Sequence, residues 1–295
     1  MRIFVTGASG WIGSAVVPEL LAAGHQVLGL ARSDTSAAKV TALGADVQRG
    51  DLADLDGLRA AAAATDGVVH LGYNHDFAQI GAAAETDRAV IAAFGEVLAG
   101  SDRPLLIASG VLGLGNGQVA TEQDRPDRID HPRVANAAAA LALADRGVRS
   151  VIVRFAPTVH GEGDHGFLAV LTGIARKQGV SAYVGDGTSC WPAVHRLDAG
   201  ALVAKAVDHA PAGSVVHATA EEGVPSREIA EAIGRGLGLP VTSVPADRAI
   251  DHFGWIGPFF GLDSRASSEE TRKLLDWHPT HNGLIADLDA GYYFH

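Results

Sequence analysis

The 295 residues are 47 % hydrophobic, carry one cysteine (Cys190) and have a formal net charge of -11. This is too apolar for a disordered chain and long enough to bury a sizeable core. The acidic balance argues against a nucleic-acid partner, and the lone cysteine excludes an intrachain disulfide framework and fits a reducing compartment. No apolar run reaches the roughly 18 residues of a membrane span, and the N-terminus lacks a secretory leader pattern, so no membrane partner and a cytoplasmic location are expected.

Residues 2–5 form a short apolar run, as expected of a strand buried on both faces. It runs directly into Thr6-Gly7-Ala8-Ser9-Gly10-Trp11-Ile12-Gly13, with G-x-x-G-x-x-G spacing. That is one residue longer in its first gap than the G-x-G-x-x-G dinucleotide fingerprint. Gly7 suits a turn needing positive φ, Gly10 clears room for a pyrophosphate, and Gly13 lets helix and strand approach. A helix starting near Trp11 then aims its unpaired N–H groups at the phosphates. Helical spacing continues over 12–23 and stops at Gly24, a good C-cap.

Further strands are read at 27–31, 46–49, 68–71, 105–108 and 151–155, and helices at 34–43, 55–63, 85–98 and 134–146. The alternation predicts an α/β fold, a doubly wound parallel sheet of the Rossmann type, with ligands at the carboxyl ends of its strands. After Phe155 the pattern loosens. Helices are expected at 167–177, 197–209, 226–237 and 267–275, the last opening on a Ser267–Glu270 capping box, and strands at 191–195 and 215–217. The expected division is a nucleotide-binding domain over 1–158 and a smaller substrate-binding lobe over 159–295. The two are not fully separable, because a return segment near 191–219 completes the sheet.

At the end of the second strand, where the dinucleotide fold places an acidic residue on the adenosine ribose, the chain reads Leu30-Ala31-Arg32-Ser33. Arginine and serine suit a 2′-phosphate, which favours NADP (NADPH), with NAD as the alternative. A solvated surface arginine is the plainer reading. Asp51 followed by Leu52 is expected beside the adenine, or alternatively Asp51 caps the following helix.

These segments together resemble an extended or atypical short-chain dehydrogenase/reductase. The resemblance rests on the glycine turn, Gly50-Asp51-Leu52, Val69-His70-Leu71, Ser109-Gly110 and Arg154-Phe155-Ala156-Pro157-Thr158-Val159-His160-Gly161. It extends through Trp191-Pro192-Ala193-Val194-His195-Arg196-Leu197-Asp198 and Leu274-Leu275-Asp276-Trp277-His278-Pro279. The cofactor is then expected along Thr6, Gly7, Ser9, Gly10, Trp11, Ile12, Gly13, Arg32, Ser33, Asp51 and Leu52. It would continue past Leu71, Gly72, Tyr73, Ser109, Pro157 and Val159.

The resemblance also implies a tyrosine proton donor with a lysine four residues later. This chain has no such pair: its tyrosines are Tyr73, Tyr183, Tyr292 and Tyr293, and no lysine lies between Lys39 and Lys177. Arg133 is the best substitute for the lysine, although arginine is a poor proton shuttle. Ser109 matches the family serine. His75, beside Asp76 in the loop after the fourth strand, is a plausible general acid. His160 heads a loop with Glu162, Asp164 and His165, a weak metal pattern, and no metal is expected. Asn74, His75, His165, Phe167 and Trp191 are the expected substrate contacts.

The expected function is NADP(H)-dependent reduction of a small, mostly apolar carbonyl or imine compound through a non-standard proton donor. A non-catalytic NADP-sensing regulator and a nucleotide-sugar epimerase or dehydratase are the alternatives, and a homodimer is a family-level expectation.

Overall fold

The computed structural model describes residues 1–74, 80–115, 117–125 and 132–295. In the first half, strands β1 (Arg2–Thr6), β2 (Gln26–Ala31), β3 (Asp46–Arg49), β4 (Gly67–His70), β5 (Pro104–Gly110) and β6 (Arg149–Phe155) alternate with helices α1 (Gly13–Ala22), α2 (Asp34–Ala42), α3 (Leu55–Ala63), α4 (Ile80–Leu98) and α5 (Pro132–Leu141). The second half holds β7 (Thr158–His160), α6 (Phe167–Gln178), β8 (Ser181–Val184), β9 (Cys190–His195), α7 (Arg196–His209), β10 (Ser214–Ala218), β11 (Glu221–Pro225), α8 (Ser226–Leu237) and β12 (Val241–Val244). Shorter helical pieces follow, among them Glu269–Leu275 and Leu284–Asp289.

A seven-stranded sheet in the order β10-β6-β5-β4-β1-β2-β3, parallel throughout, forms the centre. Its middle strands are apolar on both faces because helices cover both: Ile3, Phe4 and Val5 of β1 have no exposure. One face packs Val16, Val17 and Leu20 of α1 with Leu202, Val203 and Val207 of α7. The other packs Leu58 of α3 with Val90 and Phe94 of α4. Parallel pairing brings the carboxyl ends of β1, β2, β4 and β5 to one edge, where Thr6 stands opposite His70.

The return to the sheet is narrower than the sequence suggests. Only β10 joins it, beside β6, whereas β9 pairs with β7 and β11 in a separate three-stranded sheet. β8 and β12 form a further pair, and at four residues each they are too short to show alternation in the sequence. The lobe has its own core of Leu168, Trp191, Ile229, Ile233, Phe260 and Leu284. The expected capping box is not formed. The helix starts at Glu269 after Ser268, Ser267 Oγ accepts only from the Glu269 N–H (3.2 Å), and Glu270 instead accepts from Gln123 Nε2 at 2.7 Å. Among the described residues no helix is long and apolar enough to cross a membrane.

Candidate functional site

The glycine turn is built as its spacing demands. Gly7 sits at φ +69°, and a Cβ there would come within 2.8 Å of the Gly72 nitrogen. A Cβ on Gly13 would collide with the Gly7 carbonyl, so helix α1 closes on β1 only because the residue is glycine. The Gly10 N–H donates to the Gly7 carbonyl at 2.9 Å. No side chain caps the start of α1 among the described residues. That open helix start, with the bare backbone of the turn, is a cradle suited to a pyrophosphate.

A cleft of about 510 Å³ runs along this edge, within the range of small-molecule sites. At the β2 end it is lined by Leu30, Arg32, Ser36, Asp51 and Leu52; Gly7, Ser9 and Gly72 form its middle; Tyr73, Asn74 and Asp87 close the β4 end. Arg32 is exposed on the rim. Asp34 is turned to Arg49, whose Nη2 lies 2.5 Å from its carboxylate. Ser33 is occupied elsewhere: its Oγ accepts from the Ser36 N–H at 3.2 Å as the N-cap of α2, and Ser36 lines the cleft in its place. Asp51 accepts from the Ala53 N–H (3.0 Å), while Asp54 is the residue that caps α3.

Beneath the cleft lies a buried polar chain. The Gly72 N–H donates to Thr6 Oγ1 (3.0 Å), and Thr6 Oγ1 meets His70 Nδ1 at 2.6 Å. His70 Nε2 reaches Asp87 at 3.2 Å, and Asn136 Nδ2 donates to the other Asp87 oxygen at 2.7 Å. Each group thus satisfies the next, so the buried histidine and carboxylate are retained without an orphaned charge. The chain ties α5 through α4 and β4 to the peptide that seats against Gly7. His70, Asp87 and Asn136 were not among the expected site residues. The signal was a histidine ending the strand beside the glycine turn.

The other expected residues divide by position. Arg133, in the first turn of α5, places its guanidinium 4.0 Å from the centroid of the Tyr73 ring, which brings two expected site residues together. Burial raises the Tyr73 pKa; Arg133 acts to lower it and Asp87 to raise it. Ser109 is half-buried near the carboxyl end of β5, opposite Arg154. Leu71 and Pro157 are half-buried at the ends of β4 and β6. His75 lies outside the described residues.

Trp11 does not turn its side chain to the cleft. Its indole N–H donates to the Val159 carbonyl (2.7 Å), His165 meets it edge-on at 5.6 Å, and Arg196 stacks on it at 4.6 Å. The Trp11 side chain is thus turned to the smaller lobe, and the Val159 carbonyl accepts its indole N–H. Trp191 is core: it is 1 % exposed and donates to the Phe259 carbonyl. Phe167 lies between Trp191, tilted to it at 5.5 Å, and the partly exposed Trp255, edge-on to it at 5.7 Å.

His160 departs most from expectation. It has no exposure, bonds Asp287 through Nδ1 at 2.6 Å and lies edge-on to His195. It holds the C-terminal helix Leu284–Asp289 to β7 instead of facing the cleft. Among the described residues no three His, Cys, Asp or Glu side chains converge as metal ligands.

The model of the NAD dependent epimerase/dehydratase family matches residues 3–218. The chain belongs to that family. Its relatives include uncharacterized protein C2A9.02 of Schizosaccharomyces pombe, 47 % identical with 100 % of both chains covered. Uncharacterized protein YLL056C of Saccharomyces cerevisiae is 45 % identical with 99 % of both covered. A solved dTDP-glucose 4,6-dehydratase, DesIV from Streptomyces venezuelae with NAD bound, superposes with a TM-score of 0.77 at 19 % identity, covering 100 % of this chain and 96 % of that one. At that identity the likeness shows the fold alone, a Rossmann architecture.

Proposed function

We propose that this member of the epimerase/dehydratase family is an NADP(H)-dependent reductase of a small, mostly apolar carbonyl or imine compound. The observation that carries the cofactor preference is Arg32 on the cleft rim, with the neighbouring carboxylate, Asp34, drawn away by Arg49. An unpaired carboxylate directly after β2, where Arg32 stands, would favour a free ribose 2′-hydroxyl. A guanidinium beside the start of α2 favours a 2′-phosphate instead. Bound there, NADPH would supply hydride to the substrate.

The chain's own residues would hold that cofactor in sequence along the edge. The backbone from Gly7 to Gly13 takes the pyrophosphate, Arg32 and Ser36 the 2′-phosphate, and Leu30 and Leu52 the adenine. Gly72 and Tyr73 lie toward the reacting end, with Ser109 of the adjoining strand available to hydrogen-bond a substrate oxygen. The half-exposed Trp255 against Phe167, with Leu112 packed on the same cluster, supports an apolar substrate. The soluble, cytoplasmic setting and the absence of nucleic-acid partners belong to the same reading.

The test is NADPH consumption with aldehydes, ketones and cyclic imines, run beside NADH. Turnover with NADPH supports the reading; no turnover across a broad panel overturns it. A second reading, a nucleotide-sugar epimerase or dehydratase, is favoured by the named fold relative, a dTDP-glucose dehydratase that binds NAD. It requires NAD to copurify and a nucleotide sugar to be converted.

A further inference from the structure

A carbonyl reduction consumes a proton at the substrate oxygen, and the side chains of the cleft narrow its source. Asp51, Arg32 and Ser36 stand at the β2 end. At the opposite end, Thr86 donates to the Ala82 carbonyl (3.1 Å), and Asp87 is held between His70 and Asn136. Tyr73 is different. It follows β4 directly, lines the cleft next to the Gly72 peptide that seats on the glycine turn, and carries a guanidinium on its ring face. The strand order puts β4 on the far side of β1 from β2, so Tyr73 and Arg32 occupy opposite ends of the cleft.

We propose that Tyr73 is the catalytic acid of this site and that Arg133 is the positioning residue that stabilises its phenolate. This rests on the NADPH-dependent reduction proposed above. In the step, the substrate C=O π bond breaks as its carbon gains a hydride, with both electrons, from the reduced nicotinamide. The oxygen takes the Tyr73 phenol proton, forming the O–H bond. The products are the alcohol, the oxidised nicotinamide and the Tyr73 phenolate, which regains its proton from water. For an imine the proton goes to nitrogen and the product is an amine.

A guanidinium over the ring face attracts the phenolate more strongly than the phenol, because the added negative charge spreads into the ring. Arginine cannot shuttle a proton, but this role asks only for fixed charge. The charges acting on Tyr73 from the described elements are Arg133 of α5, which lowers its pKa, and Asp87 of α4, which raises it, with burial raising it further. His70 lies behind Asp87 and sets that carboxylate's position. The phenol therefore holds its proton at neutral pH until charge develops on the substrate oxygen.

The experiment compares the native chain with Tyr73→Phe, Arg133→Leu, Arg133→Lys and His75→Gln. Three readouts are needed: NADPH binding by nicotinamide fluorescence, single-turnover reduction against pH, and phenolate absorbance on alkaline titration. Tyr73→Phe is expected to bind NADPH within about twofold of native and to reduce substrate at least ~100-fold more slowly, the scale of a lost general acid. Arg133→Leu should move both the Tyr73 titration and the alkaline limb of the rate to higher pH, and Arg133→Lys should restore part of each shift. Native rates in Tyr73→Phe, or loss confined to His75→Gln, overturn the assignment while leaving the reductase standing. A Tyr73 titration unmoved by Arg133→Leu overturns the role of the arginine. No reduction by the native chain of any carbonyl or imine overturns the underlying reading and the assignment with it.

Discussion

Two histidine–aspartate pairs, each with a buried histidine, bind distant parts of this chain, and their surroundings give them different work. His70 and Asp87 join β4 to α4 at 3.2 Å, and Asp87 also borders the cleft. His160 and Asp287 join β7 to the C-terminal helix at 2.6 Å, with His195 a further 3.7 Å from the same carboxylate. Burial pushes the Asp287 carboxyl up, but hydrogen bonds from His160 and Tyr292 and the nearby histidines outweigh it, so its pKa is lowered overall. The lobe pair is walled off: His160 has no exposure, and among the described residues its Nε2 has no hydrogen-bond partner. A buried, paired histidine is thus a fastening in one place and a support for a binding surface in the other. Contact with the cleft separates them, not the chemistry of the pair.

The largest expected effect breaks the lobe pair. His160→Leu leaves Asp287 buried without its closest partner and should cost about 3–5 kcal/mol of unfolding free energy, the range for removing one member of a buried ion pair. Denaturant unfolding reads this loss, and NADPH affinity measured well below the transition should hardly change. Asp87→Asn sharpens the contrast. An amide cannot accept from both His70 and Asn136 as a carboxylate does, so a loss of about 1–3 kcal/mol is expected, the cost of an unsatisfied buried group. This loss should come with weaker NADPH binding, because Gly72 is tied to the same chain.

At the turn itself, Gly7→Ala imposes a φ of +69° on a residue with a Cβ. Strain of about 1–3 kcal/mol is expected, read as weakened NADPH binding in a fluorescence titration. The smallest effect concerns pH. Burial lowers the pKa of His195, at the lobe pair, and of His217, which meets Arg154 at 3.3 Å. Below the ordinary histidine value of about 6.5 the unfolded chain binds more protons than the folded one. The stability these groups contribute is therefore complete above that pH and declines as pH falls through it. Melting temperature against pH should slope downward on the acid side, and stability that rises on acidification would contradict it.

Much of the sheet was legible in the sequence because strands buried on both faces are written as continuous apolar runs. β1 and β4 are of that kind and fall on the predicted segments to within a residue. The glycine turn was legible for a related reason, since Gly7 and Gly13 answer steric demands that no other residue meets. Residues whose meaning depends on tertiary neighbours were not legible. His160 sits in a polar, glycine-rich stretch that reads as a loop with chemistry, and only the return of the C-terminus with Asp287, 127 residues later, makes it a fastening. Ser33 reads as a phosphate ligand in the sequence, and only its place at the start of α2 shows that its hydroxyl is also the cap of that helix. Trp191 offered no periodicity to separate core from pocket wall. Tyr73 and Arg133 each drew notice alone, but 60 positions of chain hide their contact.

On the proposed reading, the cleft receives a phosphorylated dinucleotide through Arg32. Parallel titrations of the native chain and Arg32→Ala with NADPH and NADH test it most directly. The prediction is tighter binding of NADPH than NADH by the native chain, and a loss of about 10- to 100-fold in NADPH affinity alone in the variant, as expected for one charge-assisted bond worth about 1.5–3 kcal/mol. Equal affinities in the native chain, or an Arg32→Ala variant that keeps its NADPH affinity, would contradict it.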